Sequence, residues 1–227
     1  MHEQDPFLLK REHAAELFLI RHGDAIPEAD EIIPSGIYNN LPLSKKGREQ
    51  ARVLAERLKY LHFDAAYSSP LRRCQETAAP LLEALGLQAT IVEDIREVQT
   101  RSGTQIPEVQ DGDDLSILTR ALHARQAEMT RIAALTGHWN DVIMGETSAG
   151  FRRRVVEAID GIAKRHRGAR VLVFAHGGVI NAYAAEALGL ERDFFFPCAN
   201  TSITIVRVSG EKRVLYVLND VAHLKMY

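Results

Sequence analysis

Two short, wholly apolar runs each break off at a histidine followed by glycine. Leu17-Phe18-Leu19-Ile20 runs into Arg21-His22-Gly23, and Val171 to Ala175 runs into His176-Gly177-Gly178. Apolar runs of this length bounded by polar turns read as strands buried on both faces. Such strands need helices above and below them, which limits the chain to an α/β architecture with a mostly parallel sheet.

The rest of the chain fits that frame. Ser44 is placed to cap a helix whose apolar positions Ala51, Leu54, Ala55, Leu58 and Leu61 recur at helical spacing. Asp64 to Ser68 reads as a second strand, and Ser69-Pro70 as the opening of a helix lined by Ala78, Leu81, Leu82 and Leu85 and stopped by Gly86. Ala89 to Val92 reads as a third strand. A long helix is expected from Asp113 or Asp114, with Leu115, Leu118, Leu122, Met129 and Ile132 on one face. Another is expected near Thr147, with Phe151, Val155, Ile159 and Ile162 as its stripe. Ile203 to Val208 and Arg213 to Leu218, joined by Ser209-Gly210-Glu211-Lys212, read as a β-hairpin. The expected fold is a three-layer α/β/α sandwich. Residues 1–16 form a peripheral leader. Residues 17–227 form a single domain, with a helical lid insertion at about 98–145.

In open α/β sheets ligands collect at the carboxyl ends of strands. Three strand ends carry polar loops: Arg21-His22-Gly23, Ser68 to Arg73, and His176-Gly177-Gly178. Arginine matches the fork geometry of phosphate, and the helix after His176 would turn N–H groups such as that of Gly177 toward an anion. Converging, these loops make a pocket for a dianion. A neutral imidazole there can attack phosphorus, with charge on the phosphate oxygens stabilised by the arginines and by His176 if protonated. A carboxylic acid is then needed to protonate the leaving oxygen, and spacing does not select one.

The strings LFLIRHG, YSSPLRRCQETA, IRE, GET, VFAHGG and NTSITIV occur in this order from Leu17 to Val208. Together they resemble the histidine phosphatase superfamily, the phosphoglycerate-mutase-like family, and in particular its phosphatase branch. The resemblance implies a phosphoglycerate-mutase-like fold and a phosphomonoester hydrolase working through a phosphohistidine on His22. It implies Arg21 and Arg73, not Arg72, as phosphate ligands, Glu97 as proton donor, and His176 as the second active-site histidine. Glu146 takes a supporting place, and Asn200 and Thr201 lie by the pocket wall. The chain departs from the family's pattern after Gly23, where Asp24 replaces a glutamate and no Trp-Asn pair follows. It departs again after Glu97, where a glycine-aromatic-glycine signature is missing. Asn39 or Asn40 could supply a substrate amide, and a mutase role is weakened.

Simpler roles are expected for other candidates. Arg72 and Arg152-Arg153-Arg154 read as solvated helix faces, and the seven histidines other than His22 and His176 as surface or helix-end residues. Asp111-Gly112-Asp113 is a chance match to a carboxylate-nucleophile motif, since no buried strand precedes it. Neither Cys74 nor Cys198 has an arginine six residues on, so no cysteine-phosphatase loop is present. The nine histidines show no metal-ligand spacing, and no metal or cofactor is implied. A net charge of -2 gives no reason to expect nucleic acid, and no apolar run is long enough to span a membrane. Two cysteines and no apolar signal core fit the cytoplasm. The expected partners are a small phosphorylated metabolite with a polar leaving group and inorganic phosphate as product. The alternatives are a phosphoglycerate-type mutase and a non-catalytic phosphate-binding protein. The sequence leaves the oligomeric state open.

Overall fold

The computed structural model describes residues 5–28, 30–31, 40–100, 105–107 and 116–225. Its centre is a six-stranded sheet of β1 (Ala15–Arg21), β2 (Ala65–Ser68), β3 (Ala89–Ile91), β4 (Arg170–Ala175), β5 (Ile203–Ser209) and β6 (Lys212–Asp220), in the order β3-β2-β4-β1-β5-β6. β1 to β4 run parallel, whereas β5 and β6 form an antiparallel hairpin added beside β1.

Strand alternation sorts the core into two layers. Phe18 and Ile20 of β1, with Leu172 and Phe174 of β4, face α1 (Lys45–Leu58) and α2 (Arg72–Leu85) through Leu54, Leu58, Ala78 and Leu81. Leu17, Leu19, Val171 and Val173 face the other way, toward α3 (Ser116–Thr136), α4 (Ser148–Arg165) and α5 (Gly177–Leu188). Phe151, Val155, Ile159 and Ile162 are all fully buried, as the α4 stripe requires. The layers are α/β/α, as expected. Among the described residues no helix is long and apolar enough to cross a membrane.

Helix ends follow local chemistry. The Ser44 hydroxyl accepts from the Gly47 N–H at 3.1 Å, and Thr147 accepts from the Gly150 N–H at 3.0 Å. Gly86 ends α2 in the left-handed conformation. α2 opens differently from expectation. Leu71, not Ser69, stands at its N-cap without a side-chain hydrogen bond. Asn40 accepts from the Arg72 N–H at 2.8 Å instead. Asn39, Leu115 and Asp111-Gly112-Asp113 lie outside the described residues.

The first strand begins at Ala15, two residues before the apolar run. Ala14, Ala15 and Glu16 are buried, with Glu16 5% exposed. A charged residue can occupy that place because Arg170 Nε lies 2.6 Å and Arg207 Nη2 2.8 Å from its carboxylate. Burial alone would raise the pKa of Glu16. The hydrogen bonds and charges of the two arginines outweigh it and hold the carboxyl below its ordinary value. Arg207 also donates to the Leu8 and Leu9 carbonyls and so ties the N-terminal segment to the sheet. Glu16→Gln is therefore expected to cost about 3 kcal/mol at neutral pH by leaving two arginines without their anion. The lowered pKa means that this contribution is present above pH 4.5 and is lost as pH falls through the folded-state value. Urea unfolding of both proteins at pH 7 and below pH 4 should show the difference shrinking in acid.

Candidate active site

The pairing of β1 with β4 sets Arg21 opposite Ala175, so the next residues, His22 and His176, leave the sheet side by side. The His22 N–H donates to the Ala175 carbonyl at 3.0 Å, and the two imidazole centroids are 5.2 Å apart. β2 ends level with them, the Ser69 N–H donating to the Phe174 carbonyl at 2.9 Å. The three polar strand ends of the sequence thus meet in one place.

His22 is 8% exposed and its tautomer is fixed by its neighbours. Nδ1 lies 2.7 Å from the Gly23 carbonyl, which can only accept, so Nδ1 carries the proton. Nε2 keeps a lone pair, to which Arg73 Nε–H donates at 3.1 Å. Burial, then the charges of Arg73 and Arg21, hold the His22 pKa well below its ordinary value, so the ring is neutral. His176 is fully buried and is likewise held neutral by burial, Arg73, His22 and Arg21. Its Nδ1 faces Arg73 Nη2 at 3.3 Å, and its Nε2 lies 2.8 Å from Ser69 Oγ. Ser69, expected to open a helix, instead fixes this ring. The cationic form of His176 considered from the sequence needs a dianion beside it, because two arginines oppose a further positive charge.

The two arginines converge on the cavity beside His22. Arg21 Nη1 donates to the Cys198 carbonyl, while its buried Nε–H finds no acceptor in the protein. A buried guanidinium donor without a partner fits a site that takes an anion. Arg73 sits on the first turn of α2, held from behind by Thr77. The Thr77 hydroxyl donates to the Arg73 carbonyl at 2.6 Å and accepts from the Gly23 N–H at 2.9 Å. Arg72 points elsewhere and pairs with Glu76 at 2.5 Å, as its solvated reading requires.

Glu97 reaches the same cavity from the segment after β3. Its two oxygens accept from the Val98 N–H at 3.0 Å and the Gly178 N–H at 3.1 Å. Burial nevertheless raises its pKa, against those hydrogen bonds and the pull of Arg73 and Arg21. A Cβ on residue 178 would stand 2.4 Å from Glu97 Oε1, so any larger residue there would push the carboxyl aside. Gly178 at the start of α5 thus serves the carboxyl, and Gly177 stands beside it on the cavity wall.

A further set of residues holds these groups without standing among them. Arg154 pairs with Glu146 at 2.7 Å and donates to the carbonyls of Asp94 and Arg96 at 2.7 and 3.2 Å, fixing the segment that carries Glu97. Arg152 pairs with Glu186 and Asp193. Of the three consecutive arginines only Arg153 is exposed, which corrects the reading of a solvated face. Asn200 Nδ2 donates to the His22 carbonyl at 3.0 Å, and the Thr201 N–H donates to the Arg21 carbonyl at 3.0 Å. Thr201, at a positive φ of 53°, is braced by His223 Nε2 at 3.0 Å. His223 is buried, not superficial, and burial and Arg57 push its pKa down to about 4. Spacing offered no sign of Ser69, Arg154 or His223, because each acts across the fold. Thr77 could have been found, since it lies one helical turn beyond Arg73.

The cavity measures about 450 Å³. His22, Arg21 and Arg73 line it, as does Glu97, and the remainder of the wall includes Leu122, Met129, Trp139 and Phe194. Sequence polarity in the loops around it suggested polar leaving groups. Among the described residues the wall combines these apolar side chains with polar ones, Thr100, Arg125, Gln126 and Thr130, three of them from α3.

Comparison with known proteins agrees with this geometry. The family model described as histidine phosphatase superfamily (branch 1) matches residues 17–221. Phosphoserine phosphatase 1 of Hydrogenobacter thermophilus is 30% identical over 92% of this chain and 94% of its own length. A metal-independent phosphoserine phosphatase of Arabidopsis thaliana is 28% identical over 92% of this chain and 83% of its own. Among solved structures, Bacillus stearothermophilus YhfR superimposes with a TM-score of 0.68 at 25% identity, covering 93% of this chain and 100% of that one. With paired strand-end histidines, two convergent arginines and a family match spanning nearly its whole length, this chain belongs to the histidine phosphatase superfamily, branch 1.

Proposed function

We propose that His22 is the nucleophile of a metal-independent phosphomonoester hydrolase, with Glu97 as acid and then base. Arg21, Arg73, His176 and the Gly177 N–H hold the phosphate. The observation that carries this reading is the placement of a neutral imidazole lone pair and a half-buried carboxyl of raised pKa on one cavity with two arginines.

The steps follow from those atoms. A phosphate oxygen is a stronger acceptor for guanidinium than an imidazole nitrogen, so substrate binding draws Arg73 from His22 Nε2. Nε2 then attacks phosphorus. The bond from phosphorus to the leaving oxygen breaks, and that oxygen takes the proton of the Glu97 carboxyl. The Glu97 carboxylate next accepts a proton from water, whose oxygen attacks phosphorus. The bond to Nε2 breaks and inorganic phosphate leaves. Negative charge on the bound group favours protonation of His176, which would then donate toward it.

We read residues 17–227 as one domain, with the 98–145 segment covering the leaving-group side. The free, buried thiols Cys74 and Cys198 support a reducing, cytoplasmic setting. The relatives named phosphoserine phosphatases support a small phosphorylated substrate.

Incubation with nitrophenyl phosphate in the presence of a chelator should give steady release of inorganic phosphate and an acid-labile phosphoryl group on the protein. His22→Ala should lose both by several orders of magnitude. Undiminished turnover in that variant would refute the assignment. Retention of phosphate on an organic product would indicate transfer, as in a mutase.

Glu97→Gln should slow an alkyl phosphate by about 100- to 10,000-fold. With nitrophenyl phosphate, whose leaving group needs no proton, it should give a stoichiometric burst and then a slow second step. The first step needs Glu97 protonated, so kcat/KM should fall as pH rises through a value above 4.5. The acid limb, set by His22, should lie below pH 6.5. The glutamine variant should lack the alkaline limb.

Gly178→Ala should displace the carboxyl and mimic Glu97→Gln on alkyl phosphates while leaving His22 open to phosphorylation by nitrophenyl phosphate. Equal effects on both substrate classes would point to general disruption instead.

A further inference from the structure

We propose that the leaving group this site prefers is a bulky apolar one ending in an anionic group, and that Arg125 recognises that end. The proposal rests on the phosphohydrolase reading above and names its substrate class.

The cavity divides by chemistry. Its inner end holds His22, Arg21 and Arg73, and Glu97 stands beside them. Beyond them the described wall presents Leu41, Leu122, Met129, Trp139 and Phe194 as its larger apolar side chains, with the polar Thr100, Gln126 and Thr130 among them. Trp139 and Phe194 pack edge to face with centroids 5.5 Å apart. Trp139 is fixed through its backbone: its N–H donates to Ser148 Oγ at 2.9 Å, and Ser148 donates to the buried Asp193 at 2.6 Å. These side chains make a prearranged, mainly apolar surface, and the whole cavity, phosphate end included, has a volume of about 450 Å³, within the range of about 300–1,000 Å³ usual for sites that enclose a small organic molecule. A leaving group of two or three polar carbons would leave most of that surface without a partner.

Charge narrows the choice further. An amino-acid leaving group carries an ammonium, which calls for a carboxylate. Among the described residues the carboxylates on the cavity are Glu97, held by two backbone N–H groups beside the phosphate end, and Asp24, which accepts from Ser44 Oγ at 2.6 Å. Among the described residues the wall's cation outside the phosphate end is Arg125 on α3. Its Nη2 donates to the Thr100 carbonyl at 2.9 Å, and among the described residues it has no carboxylate partner. A guanidinium held by one backbone carbonyl, on a wall it shares with Leu122, Met129 and the polar Gln126 and Thr130, fits a carboxylate or similar anion at the far end of the leaving group.

Steady-state kinetics on three alkyl phosphates test this: O-phosphoserine, benzyl phosphate, and benzyl phosphate bearing a para-carboxylate. All three leaving groups are alcohols that need protonation, so Glu97 chemistry is common to them. A filled apolar pocket discriminates by about tenfold or more for each methylene-sized group. Benzyl phosphate should therefore exceed phosphoserine by about a hundredfold in kcat/KM, and the carboxylated ester should be better still. Arg125→Gln should reduce the preference for the carboxylated over the plain benzyl ester about tenfold, chiefly through KM. Leu122→Asn should reduce the preference for benzyl phosphate over phosphoserine. Equal or better turnover of phosphoserine by the wild type would overturn the apolar assignment. A preference unchanged by Arg125→Gln would overturn the role of Arg125. If none of the esters reacted and no acid-labile phosphoryl group formed from nitrophenyl phosphate, the phosphohydrolase reading itself would fail, and this inference with it.

Discussion

The register between β1 and β4 is the constraint on which the site depends. Parallel pairing of Arg21 with Ala175 makes two chain segments, more than 150 residues apart, end at the same level. A one-residue slip would turn every side chain of β1 to the opposite face of the sheet. Leu17 and Leu19 would then exchange layers with Phe18 and Ile20, and both cores oppose that. Hydrophobic burial in two layers therefore fixes the distance between two imidazoles. The ion pairs of Glu16 with Arg170 and Arg207 hold the same strands at their other end.

Once the strands are fixed, the electrostatics follow from burial. Two arginines beside two buried histidines make imidazolium unfavourable, and the rings stay neutral. That is the state a nucleophile requires. The same burial acts in the opposite sense on Glu97, where the neutral form is the protonated one and the pKa rises. One desolvated cavity thus prepares both a base and an acid, because burial disfavours charge of either sign. The Arg21 Nε–H without an acceptor is the counterpart of this arrangement, a donor whose natural partner is an anion.

The parts that hold the site come from every layer of the fold. Arg154 and Glu146 fix the backbone that bears Glu97. Asn200, Thr201 and His223 brace the backbone that bears His22, and Ser69 orients His176. These contacts bind carbonyls and ring nitrogens in the protein. Their effect on chemistry is to limit how far the reacting groups can move. The far wall of the cavity is built separately, from α3 and from the loop that carries Trp139.

Local sequence patterns carry the fold class and the strand ends that meet at the candidate site. Strand burial, helical stripes and caps such as Ser44, Thr147 and Gly86 are written in local patterns of one or two turns. The pairs Arg21-His22 and His176-Gly177 sit at strand ends where α/β sheets bind ligands. Glu97 was legible only through resemblance to a family, since no spacing links a loop carboxylate to a strand-end histidine. Tertiary structure alone decided that Ser69 holds His176 and is not a helix cap, that Arg152 and Arg154 are paired, and that His223 is buried. It also decided which side chains of α3 and of the Trp139 loop, apolar and polar alike, stand on the described cavity wall. The physical reason is common to all of these. Each depends on which side chain another element brings within about 3 Å, the range of a hydrogen bond, and that is set by packing across the whole domain, not by neighbours along the chain.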